Sequence, residues 1–542
     1  MTNPLLNRQR TLGILTVACV AAGVVWRGFG LGTFPGLDPD EVEGVLAWFR
    51  DPPILWYVYP TGRPHLNPLA PLLHWPFHML MAPSAWGVRM PGLIAGLCAI
   101  PIAFFALRRA FGARTAALTT MLVSAAPFLV AYSRQAWDLA YVPAFAALII
   151  GTAFAGRPRL TAALVAFGVL VHPTMVCVVP IAAAPTVVDL WRRSTGSSRS
   201  VRLRSLLAFG ALLTYAAVFL GLMLFAAKLP LRVESLSLLL RDIQDRASDW
   251  TLIQTFFSCF WHAMAGDLVY AEFLGGDMQL DAVWPAIATT AFFVASAGLL
   301  WKQGRTDRLV FLVALLLGVA GQFITVGNYD LLIPLKERYF LWAALPVCVA
   351  LVFFLEAVTE RLGAPVLSAV AVLALTVTWF VSFQIGYFSP FSRWGGESAS
   401  LDYRTAPVQP KARVLEIVAQ NRRSPEGPAW LFVGEPRLEL VLEYLASADP
   451  SVRVLNLGRV LYQHQRDNQS DLGAGDVTGS SNVFFVDYLW QEVTGEIREV
   501  HALSERTVES AVAPWKAERI GTVTTTAGSP LFGVWRLSLP PK

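Results

Sequence analysis

Long runs of apolar residues, separated by short polar stretches, occupy most of the first 388 positions of the chain. The hydrocarbon core of a bilayer is about 30 Å thick, and an α-helix crosses it with roughly 20 apolar residues. The pattern therefore predicts a polytopic α-helical membrane protein with about eleven spans. The predicted spans lie near residues 11–27, 86–107, 115–132, 139–155, 160–172, 174–190, 206–227, 284–301, 309–326, 339–357 and 363–385.

After Phe388 the apolar runs become too short to span a bilayer. The segments "ARVLEIVAQNRR" and "RLELVLEYLA" have helical apolar spacing, whereas "AWLFVG", "VRVLNLG", "NVFFVDYLW" and "FGVWRLSL" have the pattern of short strands. We therefore expect a transmembrane domain over residues 1–388 and a soluble α/β domain over residues 389–542.

Lysine and arginine are concentrated in alternate loops, which predicts the orientation of the chain. With a cytoplasmic N terminus, the basic segments at 8–10, 108–114, 156–159, 191–204 and 302–308 all lie inside. The long loops at 28–85 and 228–283, the short loops at 132–138 and 327–338, and the C-terminal domain then lie outside. This arrangement predicts a multi-pass protein of the cytoplasmic (inner) membrane.

Composition agrees with a membrane protein and adds two exclusions. The chain is 55% hydrophobic and only 15% charged, whereas soluble domains carry about 25% charged residues. Its net charge of +5 is small for 542 residues and does not indicate a nucleic-acid partner. No cysteine follows Cys348, so the C-terminal domain has no disulfide framework.

The acidic stretch "LDPDEVEGVLAWF" (37–49) lies in the first predicted outer loop and has two interpretations. It has the features of a helix start, with Asp38 as cap, Pro39 in the first turn and Glu41 completing a capping box. That interpretation gives Asp40 no role. The alternative is that Asp40 and Glu41 are carboxylates of a site at the membrane surface.

Other charged residues fall on the same predicted side. Asp138 ends "YSRQAWD" in the second outer loop, where it is either a helix cap or a further site carboxylate. The cations Arg89, Arg134, Lys336 and Arg338 are candidates for a binding site, although interfacial lysine and arginine also commonly snorkel from helix ends.

His172 precedes Pro173 inside an apolar run, between two short spans that are also compatible with half-embedded helices. An ionisable residue at membrane depth is a functional candidate by default. His172 is therefore either a contact for a bound phosphate or a neutral histidine bonded to a backbone carbonyl that Pro173 frees.

The order of motifs resembles the GT-C class of membrane glycosyltransferases, in particular the protein O-mannosyltransferases and the lipid A aminoarabinose transferases. One departure is Asn67-Pro68, where the lipid A-modifying relatives carry a lysine before the proline pair. The resemblance is carried by the acidic stretch, "HLNPLAPLLHWPF" (65–77), "WGVRMPGLIAGL" (86–97), "YSRQAWDLAYVPAFAAL" (132–148), "LVHPTMVCVVP" (170–180) and "ERYFLWAALPVCVAL" (337–351).

The resemblance implies a GT-C-like fold and a definite reaction. The class transfers a sugar from a polyprenyl-phosphate carrier to an acceptor outside the membrane, by a single displacement that inverts the anomeric carbon. The acceptor could be a protein, a lipid or a glycan. The residues that correspond to the family's active-site carboxylates are Asp40, Glu41 and Asp138.

Each step of that chemistry needs a particular residue type. The departing phosphate must be stabilised by cations, for which Arg134, Lys336 and Arg338, followed by His65 and Arg89, are the candidates. The acceptor hydroxyl must lose a proton to a general base. We assign that role to Asp40, with Glu41 orienting the base or the acceptor. Asp138 would bind the sugar or share the role of base.

A divalent cation, Mg or Mn, between Asp40 and Asp138 is compatible with the preference of hard ions for carboxylates. Two other functions stay open at this point. A transporter or flippase of lipid-linked sugars would favour charges at mid-membrane and an inverted repeat, and neither stands out here. A non-catalytic membrane scaffold would leave Asp40 and Asp138 as helix caps only.

Overall fold

The computed structural model describes most of the membrane part and the framework of the C-terminal part. The described residues are 4–33, 36–37, 41–42, 69–81, 83–193, 210, 250–274, 283–325, 334–390, 408–424, 427–434, 436–449, 451–456, 481–488, 512, 515–524 and 530–538.

Helices account for almost all of the described membrane part. Three 3₁₀ helices (Asp138–Tyr141, Pro173–Val178 and Pro334–Phe340) and a π-helical turn (Gln384–Phe388) accompany the α-helices. The α-helices are α1 (Pro4–Gly28), α2 (Leu69–Leu80), α3 (Ala85–Phe111), α4 (Ala113–Ala125), α5 (Pro127–Tyr132), α6 (Val142–Phe154), α7 (Pro158–Val171), α8 (Val179–Arg193), α9 (Trp250–Ala265), α10 (Asp267–Leu274), α11 (Val283–Lys302), α12 (Thr306–Thr325), α13 (Leu341–Arg361) and α14 (Val366–Phe383).

Six helical segments among the described residues are long and apolar enough to cross a membrane, so the chain is a polytopic membrane protein as predicted. The predicted span at 206–227 lies outside the described residues. The six segments are Gln9–Gly28, Ala85–Phe111, Val283–Lys302, Thr306–Phe323, Glu337–Arg361 and Val366–Phe388.

Of the other four predicted spans, one is divided by a proline and three are short apolar helical segments, Asp138–Phe154, Pro158–Val171 and Pro173–Asp189. The run predicted at 115–132 is divided at Ala126, and Pro127 begins α5. Pro143 stands at the start of α6, and Pro173 begins the 3₁₀ helix that precedes α8. Proline has no N–H and clashes with the preceding turn, so it starts a helix more readily than it continues one.

Two glycines of α3 allow the second predicted outer loop to pack directly on that helix. A Cβ at Gly92 would lie 1.9 Å from the backbone oxygen of Gln135, and one at Gly96 would lie 2.2 Å from the Cβ of Ser133. Real Cβ atoms do not approach other heavy atoms this closely. The position of the 133–138 segment therefore depends on the missing side chains of Gly92 and Gly96.

The buried carboxylate of Glu356 contacts residues of two basic loops, at the end of the bundle opposite to the 133–138 segment. Glu356 on α13 accepts a hydrogen bond from Thr115 Oγ1 at 3.0 Å and forms an ion pair with Arg308 at 2.8 Å. Arg114 Nε lies 3.7 Å from the same carboxylate. The loops at 108–114 and 302–308, predicted to lie on one side, thus meet at one end of the bundle.

The C-terminal part is a small α/β domain built on a five-stranded sheet, as predicted. Strands β1, β2 and β3 are parallel, and β5 and β4 continue the sheet antiparallel in the order β2-β1-β3-β5-β4. The elements are α15 (Val408–Gln420), β1 (Ala429–Val433), α16 (Pro436–Ala446), β2 (Val452–Asn456), β3 (Val483–Tyr488), β4 (Lys516–Thr524) and β5 (Pro530–Ser538).

The edge strand β4 was missed by the sequence pattern for a physical reason. Its segment "KAERIGTVT" places Lys516, Glu518 and Arg519 on an exposed edge, and only Val523 is buried. Charged residues on edge strands prevent pairing with other chains. They also remove the alternation of apolar residues by which a strand is recognised.

We predict that Gly92→Ala destabilises the protein by about 1–3 kcal/mol, because a new Cβ must displace the backbone at Gln135. Thermal unfolding in detergent would measure the change. The matched control is Gly298→Ala in α11, where a Cβ meets no atom within 4 Å. Equal unfolding temperatures for the two variants would contradict the close approach.

Candidate active site

A buried ion pair connects the first predicted outer loop to α3. Arg89 donates from Nε to Glu41 Oε1 at 3.0 Å and from Nη2 to Glu41 Oε2 at 2.9 Å. Both side chains are fully buried. This is the two-pronged geometry by which arginine binds a carboxylate most strongly.

The Glu41–Arg89 pair also forms hydrogen bonds with the backbone of three segments. Arg89 also donates to the carbonyl oxygens of Leu31 at 3.0 Å and Gly36 at 2.9 Å. Glu41 Oε1 accepts a hydrogen bond from the backbone N–H of Ala136 at 2.9 Å. The ion pair therefore joins the end of the first span, the acidic stretch and the second predicted outer loop.

These contacts show where two of the predicted site residues lie. Arg89 is turned into the protein and bonded to Glu41, and its role at the donor phosphate stays a prediction. Glu41 accepts hydrogen bonds from Arg89 and from the backbone N–H of Ala136, whereas the other residues of the predicted capping box lie outside the described residues. Both side chains hold backbone segments together in this structure.

Arg134 is also bonded inside the protein, and its role at the donor phosphate stays a prediction. It is fully buried and donates from Nη1 to the carbonyls of Trp26 at 2.9 Å and Arg27 at 3.0 Å. Its guanidinium lies over the rings of Tyr387 and Phe388, at 5.7 and 5.1 Å. The last carbonyls of a helix lack partners within the helix, and Arg134 supplies one at the end of α1.

Asp138 lies two residues beyond the amide that Glu41 holds. It begins a 3₁₀ helix and accepts a hydrogen bond from the N–H of Leu139 at 2.9 Å. It is partly exposed, whereas the neighbouring residues of the loop are buried. The helix-start role and an accessible carboxylate thus coexist at this residue.

His172 faces the same region from the break between α7 and the following 3₁₀ helix. Its Nδ1 accepts a hydrogen bond from Thr174 N at 3.2 Å and lies 2.7 Å from Thr174 Oγ1. The predicted bond to a freed carbonyl is therefore wrong, because the imidazole caps the next helix instead. With Nδ1 acting as acceptor, the ring proton resides on Nε2, which can donate to a ligand.

Arg338 lies in the same region as Asp138 and His172. Its guanidinium lies 4.7 Å from the ring centre of Trp137 and 5.5 Å from that of Tyr339. The ring of Tyr339 is stacked on His172 at 6.1 Å. The charges of Asp138 and Arg338 both act on the His172 imidazole. We call Trp137, Asp138, His172, Arg338 and Tyr339 the Asp138 cluster.

The remaining predicted site residues are only partly placed. The backbone of Lys336 lies in the 3₁₀ helix Pro334–Phe340 that carries Arg338. Asp40 and His65 lie outside the described residues. Within the part of the chain that the structure describes, no three histidine, cysteine or acidic side chains are close enough to hold a metal ion.

Several residues of this region were missed from the sequence. Trp137 and Tyr339 flank the predicted charged residues and support Arg338 with their rings. Thr174 follows Pro173 and fixes the His172 ring, and Tyr132 donates a hydrogen bond to the buried carboxylate of Glu337. The available signal was an aromatic or hydroxyl residue within two positions of a predicted polar residue.

We predict that Glu41→Gln destabilises the protein by about 3–5 kcal/mol, because it leaves the Arg89 charge buried without its counterion. Thermal unfolding of the purified protein is the measurement. The control is Glu360→Gln, which breaks the exposed pair with Arg305 and should cost about 1 kcal/mol or less. Similar losses of stability in both variants would show that the buried Glu41–Arg89 pair stabilises the protein no more than an exposed pair does.

Three solved structures are similar to this chain at low identity. ArnT from Cupriavidus metallidurans bound to undecaprenyl phosphate is 14% identical, with a TM-score of 0.45 over 98% of this chain and 99% of that chain. The oligosaccharyltransferase of Archaeoglobus fulgidus in complex with zinc and sulfate is 11% identical, with a TM-score of 0.44 over 88% and 68%. AglB of the same archaeon, in complex with an inhibitory peptide and a dolichol-phosphate, is 12% identical, with a TM-score of 0.41 over 89% and 70%.

At the level of sequence, no curated protein matches the chain. One family model matches residues 63–227, and the family is described as dolichyl-phosphate-mannose-protein mannosyltransferase. The matched range includes Arg89, Arg134, Asp138 and His172, and the acidic stretch at 37–49 precedes it. This match confirms the resemblance to the protein mannosyltransferases among the GT-C membrane glycosyltransferases that the sequence motifs indicate.

Proposed function

We propose that the protein is a glycosyltransferase that moves a sugar from a polyprenyl-phosphate carrier to an acceptor at the outer face of the cytoplasmic membrane. The observation that carries the proposal is the Asp138 cluster. It combines an accessible carboxylate, a guanidinium and an imidazole donor, from three segments far apart in the chain. The description of the matching family supports the same class of donor.

The cations of the cluster suit the phosphate of the carrier. The phosphate leaves with growing negative charge and needs no proton, so preorganised donors should stabilise it. Arg338 is held over two aromatic rings. Because His172 Nδ1 accepts a hydrogen bond from Thr174, the Nε2–H of the ring is the group that can donate to the phosphate. We assign these two groups to the donor phosphate, together with Lys336 from the 3₁₀ helix that carries Arg338.

The carboxylates suit the other half of the reaction. The acceptor hydroxyl must lose its proton as it attacks, and a carboxylate within hydrogen-bond reach can take it. We assign Asp40 as that base, because its chain neighbour Glu41 is fixed by Arg89 and Ala136. Asp138 would bind the sugar, and a single displacement would invert the anomeric carbon.

We predict that Asp40→Asn lowers transfer by about 10²–10⁴-fold, the usual contribution of a general base. Asp138→Asn should also impair transfer. The assay supplies radiolabelled polyprenyl-phosphate sugars to membranes containing each variant and follows label into acceptor. Asp307→Asn is the control, because Asp307 lies in the first turn of α12, at the opposite end of the bundle.

Three results would contradict the proposal or one of its assignments. Full transfer by Asp40→Asn would remove that residue from the base role. Label that accumulates inside sealed vesicles without any covalent product would instead identify a transporter of lipid-linked sugars. No turnover of any donor by folded wild-type protein would leave the scaffold interpretation.

We predict that Arg338→Gln weakens use of the donor by about tenfold or more in kcat/KM, because a charge-assisted contact to phosphate contributes about 1.5–3 kcal/mol. Arg305→Gln is the matched control, since it removes the same charge from an exposed pair with Glu360. Equal kinetics for the two variants would place the donor phosphate elsewhere.

A divalent cation held by Asp40 and Asp138 is part of the proposal. Such an ion would neutralise phosphate charge beside the Asp138 cluster, and Mg or Mn would suit the oxygen ligands. Chelation with EDTA should then stop transfer, and added Mg or Mn should restore it. Unchanged transfer after chelation would show that Arg338 and His172 act without a metal.

A further inference from the structure

Helix α16 of the C-terminal domain has two buried faces. Leu438, Leu442 and Ala446, at helical spacing, pack in the core of the domain's own sheet. Val441 and Tyr444 lie on another side of the helix and are equally buried. A helix that packs only on its own sheet would leave that second side in water.

The second face of α16 packs on the site loops. Val441 and Tyr444 share one apolar cluster with residues of the membrane part. Those residues flank the Glu41–Arg89 pair or bond to it, since Val42 follows Glu41, Val88 precedes Arg89 and Ala136 donates its N–H to Glu41. The cluster comprises Leu37, Val42, Ala85, Val88, Ala136, Val441 and Tyr444.

Hydrogen bonds fix the same contact. The Tyr444 hydroxyl donates to the carbonyl of Ser84 and accepts from its N–H, both at 3.1 Å. Burial raises the pKa of Tyr444 to about 12, so its hydroxyl remains a donor at neutral pH. Ser84 caps α3, the helix that carries Arg89, through its Oγ bond to the N–H of Gly87.

A second helix of the domain reaches the acidic stretch directly. The ammonium of Lys411 on α15 is fully buried and donates to the carbonyl of Leu37 at 3.1 Å. Leu37 lies between Gly36, whose carbonyl accepts from Arg89, and the acidic residues. Two helices of the C-terminal domain thus hold the segment that leads into Asp40 and Glu41.

We propose that the C-terminal domain is a positioning element of the active site, and that Lys411 and Tyr444 are its positioning residues. The domain covers the Glu41–Arg89 pair and keeps water from it, which strengthens the pair. Through the pair it fixes the Ala136 amide, and with it Asp138, which lies two residues further on. The catalytic part of this inference rests on the proposed glycosyltransferase function.

If the contact between the C-terminal domain and the site loops is weakened, the catalytic groups should lose their alignment. A misplacement of about 1 Å in a catalytic group can lower the rate by about a hundredfold, even when substrate binding persists. We therefore expect Lys411→Gln and Tyr444→Phe to lower kcat by about tenfold, with the donor KM changed by less than about twofold. Tyr444→Phe keeps the ring and removes only the hydroxyl.

Hydrogen–deuterium exchange of the full-length protein tests the positioning independently of activity. Peptides that cover residues 31–42 and 133–139 should exchange faster in Lys411→Gln and Tyr444→Phe than in the wild type, by about tenfold at the Ala136 amide. The matched control is Arg413→Gln, which removes a charge on the same helix, where Arg413 bonds to Glu416 at the surface. Its exchange should equal that of the wild type.

Unchanged exchange in both folded variants would overturn the proposal, as would faster exchange with wild-type kcat. Faster exchange with a lower kcat at constant KM supports it. Failure of the proposed function gives a different result, because the wild type itself would then transfer no sugar. The exchange comparison would still decide whether the C-terminal domain fixes the loops.

Discussion

The buried ion pair between Glu41 and Arg89 is the constraint on which the site depends. A guanidinium and a carboxylate removed from water are stable together only when almost all of their hydrogen bonds are made. Here they are supplied by each other, by the carbonyls of Leu31 and Gly36, and by the amide of Ala136. Satisfying one pair of charges therefore fixes three segments relative to each other.

Two other buried arginines, Arg27 and Arg134, also join segments by donating to backbone carbonyls at the ends of neighbouring helices. Arg27 donates to the carbonyls of Val123 and Ser124 in the last turn of α4, and Arg134 donates to those of Trp26 and Arg27 in the last turn of α1. The last carbonyls of a helix are unpaired and carry partial negative charge, which a buried cation can satisfy. Arg338 differs from them because it is partly exposed.

The sequence predicted the class of fold well, since apolar length and the basic loops follow directly from the bilayer. It predicted less well where proline divides an apolar run, as at Pro127, because a broken and an intact helix have the same hydropathy. Strand β4 escaped because its exposed edge is charged. The α/β character of the C-terminal part was visible, but its second contact face on α16 was not.

Within the site, the residue types were predicted better than their partners. The sequence named Glu41, Arg89, Asp138, His172 and Arg338, all of which lie in one region. It could not distinguish a cation that binds a ligand from one that pairs internally, because both have the same composition and the same predicted side. The structure adds the burial of each cation: Arg89 and Arg134 are fully buried and bonded within the protein, whereas Arg338 is partly exposed.

The most direct measurement is a structure of the full-length protein with a polyprenyl phosphate bound. The account predicts the phosphate within hydrogen-bond distance of the Arg338 guanidinium and His172 Nε2, with Asp138 beside it and the Glu41–Arg89 pair intact. A phosphate bound to Arg89 or Arg134, with the ion pair opened, would contradict the division between structural and ligand-binding cations.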